Sequence, residues 1–295
     1  MIPRDPTGWI LILFSRAFGT SGRTLAESVK SLLSVLACTA ALSAGSAGAA
    51  TTHTSFGAQQ GRKVGAGITT SSNWAGYAVT HTKPFSSVTG KWVQPAATCA
   101  DVSPTFSAFW VGLGGFSDNS FAVEQTGTLA NCSRGTPSYT AWYELYPKPP
   151  VMVKMTVRPG DTFSATVSVA KKTVLIRIKD VTTQKLFTKR LHMGRPDVGS
   201  AEWVAEAPSG CDNTGYCTTL PLTNFGTVVF SHATATARCH RGRISDPTWS
   251  ETAIELHGDL PSGDSRAGAN AIPGAVGPDG GSFAVTWQQL APPAG

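Results

Sequence analysis

Three short stretches of the chain set carboxylate or amide side chains beside large aromatics. Alternate residues of a half-buried strand face the same way. In Ala141-Trp142-Tyr143-Glu144-Leu145-Tyr146-Pro147 this groups Trp142, Glu144 and Tyr146 on one face and Ala141, Tyr143 and Leu145 on the other. Ala201-Glu202-Trp203-Val204-Ala205-Glu206 sets Ala201, Trp203 and Ala205 on a core face and Glu202, Val204 and Glu206 opposite, an acidic outer face. Phe121-Ala122-Val123-Glu124-Gln125-Thr126-Gly127 groups Phe121, Val123 and Gln125, so an amide lies on the more apolar face and needs a partner if buried. Taken singly, each is ordinary: a solvated strand glutamate, a satisfied edge-strand amide, core tryptophans at Trp110 and Trp142. Together they describe a concave sheet face able to hold an extended polymer. Two glutamates on facing strands, Glu144 and Glu202, are also what a retaining glycoside hydrolase would need, with carboxyls roughly 5–5.5 Å apart.

Other chemistries lack their signatures. His53, His81, His192, His232, His240 and His257 show no H-E-x-x-H or other close ligand spacing. Gly263-Asp264-Ser265 is followed by Arg266-Ala267-Gly268 and preceded by no hydrophobic strand, and reads as a loop. There is no G-x-S-x-G, P-loop or dinucleotide fingerprint. Asn131-Cys132-Ser133 is a glycosylation sequon, weakened if Cys132 is bridged.

The elements that must carry these residues are short. Strand-like runs bounded by Gly, Pro and Asp/Asn turns recur at 74–79, 88–93, 107–113, 121–126 and 138–146. The clearest alternation spans Val151–Val157 and Phe163–Val169, separated by Pro159-Gly160-Asp161. A hairpin follows, with Val174, Ile176 and Ile178 against Leu186 and beyond, and later runs lie at 201–206, 227–230, 254–256 and 283–288. No stretch after the apolar run that ends at Ala50 carries a helical apolar stripe of two turns or more. More than ten strands predict two packed antiparallel sheets, a jelly-roll β-sandwich over residues 71–295.

Composition agrees. Only 14% of the 295 residues are charged, against roughly 25% in an average domain, and the 31 Gly and 19 Pro show no three-residue period, which excludes a coiled coil and collagen. Lys30 followed by an apolar run to Ala50, with Ala47-Gly48-Ala49 at its end, reads as a secretory signal over residues 1–49. Lipid attachment at Cys38 is the rival reading, disfavoured by bulky Leu36. Residues 50–70 read as a flexible leader or pro-segment. Nothing later reaches the ~20 apolar residues of a membrane span, so no membrane association is expected once the signal is cut. No Lys/Arg block is interleaved with aromatics, so no nucleic-acid partner is expected. The mature domain is expected to be a secreted monomer. Export favours disulfides, and loop geometry favours Cys211 with Cys217 and Cys99 with Cys132, leaving Cys239 over.

Asn73-Trp74-Ala75-Gly76-Tyr77, Val88-Thr89-Gly90-Lys91-Trp92-Val93 with Pro95, Trp110-Val111-Gly112-Leu113, Gln125-Thr126-Gly127, the 141–147 and 201–206 segments, Gly160-Asp161 and Asn224-Phe225-Gly226 occur in the order seen in the glutamic peptidases, or eqolisins. The resemblance is strong from Asn73 to Phe230 and thinner through Phe283-Ala284-Val285-Thr286. It implies a sandwich of two curved antiparallel sheets, cutting proteins or peptides at acid pH without metal or cofactor. The catalytic Gln and Glu of that family map to Gln125 and Glu202, and Trp110, Trp142, Glu144 and Tyr146 fall on cleft-lining positions. Glu206 reads as structural. The residue types suit the task. A carboxylate takes a proton from the attacking water and returns it to the leaving amine, while an amide N–H stabilises the developing oxyanion. Burial of Glu202 beside Trp142 and Glu144 would raise its pKa towards the working range.

The chain also departs from the family. Gly114 stands where fungal members commonly carry Asp, so a supporting carboxylate is missing or supplied elsewhere. Leu145 replaces a Trp, which bears on substrate preference. The positive mature chain suggests a less extreme pH optimum. Two readings stay open beside the peptidase: the glycoside hydrolase above, and a non-catalytic carbohydrate- or peptide-binding sandwich.

Overall fold

A computed structural model describes residues 53–57, 61–63, 67–99, 103–213, 217–258 and 268–290, all within one compact unit, Ala49–Gly295. The expected signal region, its cleavage point, Cys38 and the 263–265 turn lie outside the described residues. Among those described, every regular element is a strand, and the fold is the expected all-β sandwich.

One sheet runs, in spatial order, Val151–Val153, Thr136–Tyr146, Val123–Ser133, Ala108–Leu113, Ser200–Glu206, Trp74–Thr80 and Ser250–His257, all antiparallel. The other runs Leu186–His192, Thr173–Asp180, Thr162–Ala170, Phe85–Val93 and Thr227–Ala237. Ala269–Pro273 and Phe283–Gln289 pair in series between Ser250–His257 and Thr227–Ala237, so the hydrogen-bond ladder passes from one sheet to the other.

The core between the sheets follows from period-two alternation. Phe163, Ala165, Val167 and Val169 face Val174, Ile176 and Ile178 across a strand pair, and all are buried. Ala201, Trp203 and Ala205 reach the same core from the first sheet. Buried indoles need acceptors: Trp203 Nε1 donates to the Thr89 carbonyl at 2.8 Å and Trp92 Nε1 to Thr128 Oγ1 at 2.9 Å. Each ties one sheet to its neighbour. Burying a large apolar side chain is worth about 1.5–3 kcal/mol.

The opposite face of the first sheet has its own apolar cluster, with Phe56, Trp74, Trp110, Val123, Trp142, Val204 and Ile254 all fully buried. Hence Ser200–Glu206 is buried on both faces. The outer acidic face read there is not solvated: Glu202 and Glu206 are fully buried on the side of that aromatic cluster.

Alternation at 151–157 overstates one strand. The ladder stops at Val153, although Val153 and Val157 are both buried. Strands without a sequence signal include His53–Ser55, Ile68–Ser71, Ser209–Cys211, Cys217–Thr219 and Ala269–Pro273. The structure pairs Cys99 with Cys132 and Cys211 with Cys217, and leaves Cys239 an exposed thiol.

Candidate active site

Strand register brings the sequence candidates into one row. Glu144 pairs with Gln125, Gln125 with Gly112, Gly112 with Glu202, and Glu202 with Ala78. All five lie on the face away from the inter-sheet core. Neighbouring strands are about 4.8 Å apart, so the backbones of Gln125 and Glu202 are separated by roughly 10 Å. The residue between them has no side chain. A Cβ on Gly112 would lie 2.8 Å from Trp110 Cζ3 and 3.1 Å from Gln125 Cβ, so the gap is already bounded by the groups that use it.

Gln125 is fully buried, and its Nε2 donates to Glu144 Oε2 at 2.8 Å and to the Phe56 carbonyl at 2.7 Å. Its Oε1 is buried without a partner among the described residues. The Phe56 ring stacks on Trp142 with centroids 3.9 Å apart, and Tyr146 packs against the same cluster. Burial pushes the Glu144 carboxyl well above the usual range, against the opposing pull of the Phe56 backbone and the Gln125 amide.

Glu202 is fully buried, with neither carboxylate oxygen hydrogen-bonded among the described residues. Burial raises its pKa well above normal, the Ser200 hydroxyl opposes this, and the charges of Asp197 and Glu124 add to it. These are not the neighbours expected from sequence: Trp142 and Glu144 flank Gln125 and Phe56 instead. Two strands, those of Gln125 and Gly112, separate Glu144 from Glu202.

Glu206 sits four residues along the same strand face. It accepts from Trp110 Nε1 at 2.7 Å and from Asn73 Nδ2 at 3.5 Å, and so fixes the Trp110 indole under the row. Burial, then the charge of Glu144, hold its carboxyl well above the usual range.

The space left by Gly114 is filled. Gly114 has φ 80°, and a Cβ there would meet Asp197 Cβ at 2.6 Å. The Asp197 backbone N–H donates to Glu124 Oε1 at 3.1 Å, and the Ser120 hydroxyl donates to Asp197 Oδ2. Glu124 is pushed up to about 8, mainly by burial. The loop before Ser200–Glu206 thus supplies a carboxylate where position 114 has none. Leu145, by contrast, lies in the inter-sheet core, away from the groove, so its replacement of Trp does not touch a substrate held there.

Sequence reasoning did not single out Phe56, Asp197 or Glu124. Phe56 lies in a stretch without periodicity. Asp197 was detectable only as the complement of a glycine at 114. Among the described residues no three His, Cys, Asp or Glu side chains group to hold a metal ion.

The architecture is that of known peptidases. A scytalido-glutamic peptidase solved with a peptide-based transition-state analogue superposes with a TM-score of 0.60 at 21% identity, covering 74% of this chain and 98% of that one. SCP-B, a member of the eqolisin family solved with the tripeptide Ala-Ile-His, gives a TM-score of 0.57 at 20% identity, covering 74% and 98%. A search of curated protein sequences finds no match. Residues 72–259 match the Peptidase A4 family. The chain belongs to that family, the glutamic peptidases, and is an endopeptidase acting on peptide substrates.

Proposed function

We propose that this endopeptidase works outside the cell at acid pH, with Glu202 as general base and Gln125 as the oxyanion donor. The observation that carries the reading is the Gln125 amide donating at 2.7 Å to a peptide carbonyl, that of Phe56. In the same row, across the bare Gly112, stands a buried carboxyl, Glu202, neither of whose oxygens has a hydrogen-bond partner among the described residues. A water in that gap would contact both groups.

Glu202 removes a proton from the water as its oxygen attacks the scissile carbonyl carbon, then passes the proton to the departing nitrogen. The Gln125 N–H meets the oxygen that becomes negative, in a site where low dielectric strengthens the bond. With the groove covered, burial holds the Glu202 carboxyl well above its usual range and so favours the protonated form. Admitting water with the substrate rehydrates the carboxyl and lowers its pKa towards the acid working range. Trp110, Trp142, Glu144 and Tyr146 orient the pair and line the groove. The two disulfides support an oxidising compartment, in keeping with the signal expected over residues 1–49.

A retaining glycosidase pair is not favoured. Glu144 and Glu202 are three strand spacings apart, roughly 14 Å at the backbone, and Glu144 is bound to the Gln125 amide. Digestion of a denatured protein across pH 2–7 with chelator present tests the proposal. Wild type should cut with an acid optimum and Glu202→Gln should not. Undiminished proteolysis by Glu202→Gln would reject the assignment.

A further inference from the structure

Charge is divided between the two sheets. The strands of the sheet that carries Gln125 and Glu202 hold six glutamates and no lysine or arginine. Those of the other sheet, with the hairpin strand His240–Arg243, hold seven Lys or Arg and one acidic residue, the buried Asp180.

Register gathers six of the seven cations on one face. Arg243, Thr234, Thr89, Thr166, Arg177 and Thr188 form one row across the sheet, and Arg241, Thr236, Ser87, Ser168, Leu175 and Arg190 the next. A third row sets Lys91 and Lys179 on either side of Ser164. The alternate residues of these strands, among them Val88, Val167 and Ile176, are the buried ones, so the rows look away from the inter-sheet core. Each cation stands opposite a hydroxyl or a leucine, never another cation, which avoids direct like-charge pairs. Hydroxyls join across the strands between them: Thr89 Oγ1 with Thr166 Oγ1 and Ser87 Oγ with Ser168 Oγ, both at 3.0 Å. The face is a lane paved with hydroxyls and bordered by cations. Arg243 and Arg177 are four strand spacings apart, roughly 19 Å.

Ion pairs do not neutralise this face. Among the described residues none of the six cations takes part in one, and the carboxylates near its margins are held by their own turns. Asp279 accepts from the Gly281 and Ser282 backbones and the Ser282 hydroxyl, Asp180 from Thr183, and Asp246 from Thr248 and His240. Arg241 Nη2 donates to Thr234 Oγ1 at 3.1 Å and Arg243 to the Asp279 carbonyl, beside a cleft of about 440 Å³ lined also by His232.

We propose that this face anchors the protein on a linear acidic polysaccharide, whose carboxylates meet the arginines and lysines while its hydroxyls meet the Ser and Thr rows. Charge complementarity calls for a polyanion, and guanidinium forks match carboxylates through paired hydrogen bonds. The rows hold no aromatic ring on which a base could stack, which favours a sugar polymer over a nucleic acid. Four strands contribute the cations, so the sequence shows no Lys/Arg block. The rows and the peptide groove lie on opposite outer faces of the sandwich, and a protein held on such a matrix still presents its groove to soluble substrate.

The test measures binding of the purified protein to polygalacturonate at one pH, with dextran, duplex DNA and phosphatidylserine vesicles as comparisons. Wild type should bind polygalacturonate more tightly than DNA or vesicles, and should not bind dextran. Its affinity should fall at least about tenfold between about 50 and 200 mM salt, the least that release of two counterions gives. Arg177→Gln/Arg190→Gln should weaken binding at least about tenfold, the scale of two lost charge-assisted contacts, and so should Arg241→Gln/Arg243→Gln. Arg134→Gln/Lys154→Gln, which removes the same charge from exposed positions elsewhere, should not. Saturating polygalacturonate should leave hydrolysis of a short soluble peptide unchanged. Equal weakening by the Arg134/Lys154 pair would reduce the effect to net charge and overturn the proposal. Tighter binding to DNA or vesicles would overturn the choice of a polysaccharide, and competition between polymer and peptide would place the polymer in the groove instead.

Discussion

Gln125 and Glu202 project from one row of one sheet face, and the single residue between them, Gly112, has no side chain. Gly112→Val introduces branches where even a Cβ meets Trp110 at 2.8 Å. Overpacking typically costs about 1–3 kcal/mol, which the fold should survive. The space for a shared water should not survive. We expect kcat/KM on a peptide substrate to fall at least about 100-fold, the scale of one lost proton-transfer group, while the cooperative melt persists. A folded Gly112→Val protein with near wild-type turnover would show that nothing needs the gap.

Removing the amide alone separates its role from that of the carboxyl. Gln125→Ala should lower kcat by about 10²–10³, the usual loss for one oxyanion donor. Gln125→Glu, similar in size but lacking the N–H donors when ionised, should be no better. Equal kcat in wild type and Gln125→Ala, with only KM raised, would make Gln125 a binding residue.

The buried glutamates predict how stability depends on pH. Glu124, Glu144, Glu202 and Glu206 all have folded-state pKa values above their ordinary ones. As pH rises the unfolded chain loses these protons first, so the stability they contribute is complete below the ordinary carboxylate range and is lost as pH climbs through the folded-state values. For Glu124 the window runs from its ordinary 4.5 to about 8, worth of order 5 kcal/mol. The melting temperature should therefore fall between pH 4 and pH 8, and Glu124→Gln should flatten the fall. A higher melting temperature at pH 8 than at pH 4 would contradict this.

Asp197 lies over Gly114, and its charge adds to the elevation of Glu202. Asp197→Asn keeps the shape and removes the charge. The acid limb of the kcat/KM profile should move to lower pH, with little change in the melt at acid pH. A limb that stays in place would mean that Asp197 only organises the turn, through Ser120 and Glu124.

Much of this was legible because alternation reports burial directly. Phe163–Val169 and Val174–Ile178 each have one face in the core and one partly open, so apolar period and strand coincide. At 154–157 the same period recorded burial without a ladder, since the chain there is leaving one sheet for the other. The pairing of Gln125 with Glu202 was reached through family motifs, not from alternation, which gives faces but no register between distant strands. Burial of Ser200–Glu206 on both faces is not visible in alternation, because the apolar cluster on its outer side draws in Phe56 from residues 53–57. Their partners lie far along the sequence, and the segment has no period of its own. Asp197 shows how a carboxylate absent at one position is restored from a loop remote in sequence.

Among the described residues, the strand ladder through Ala269–Pro273 and Phe283–Gln289 joins the two layers along one margin. At the opposite margin, beside Val151–Val153 and Leu186–His192, contact is through side chains such as Tyr143 stacked on Phe187. The sandwich is built like a book with a sewn spine and an unsewn fore-edge. Breathing motions should be concentrated at the fore-edge, where amide protons of the outer strands would exchange with solvent first, while the spine holds the row of Gln125, Gly112 and Glu202 in alignment.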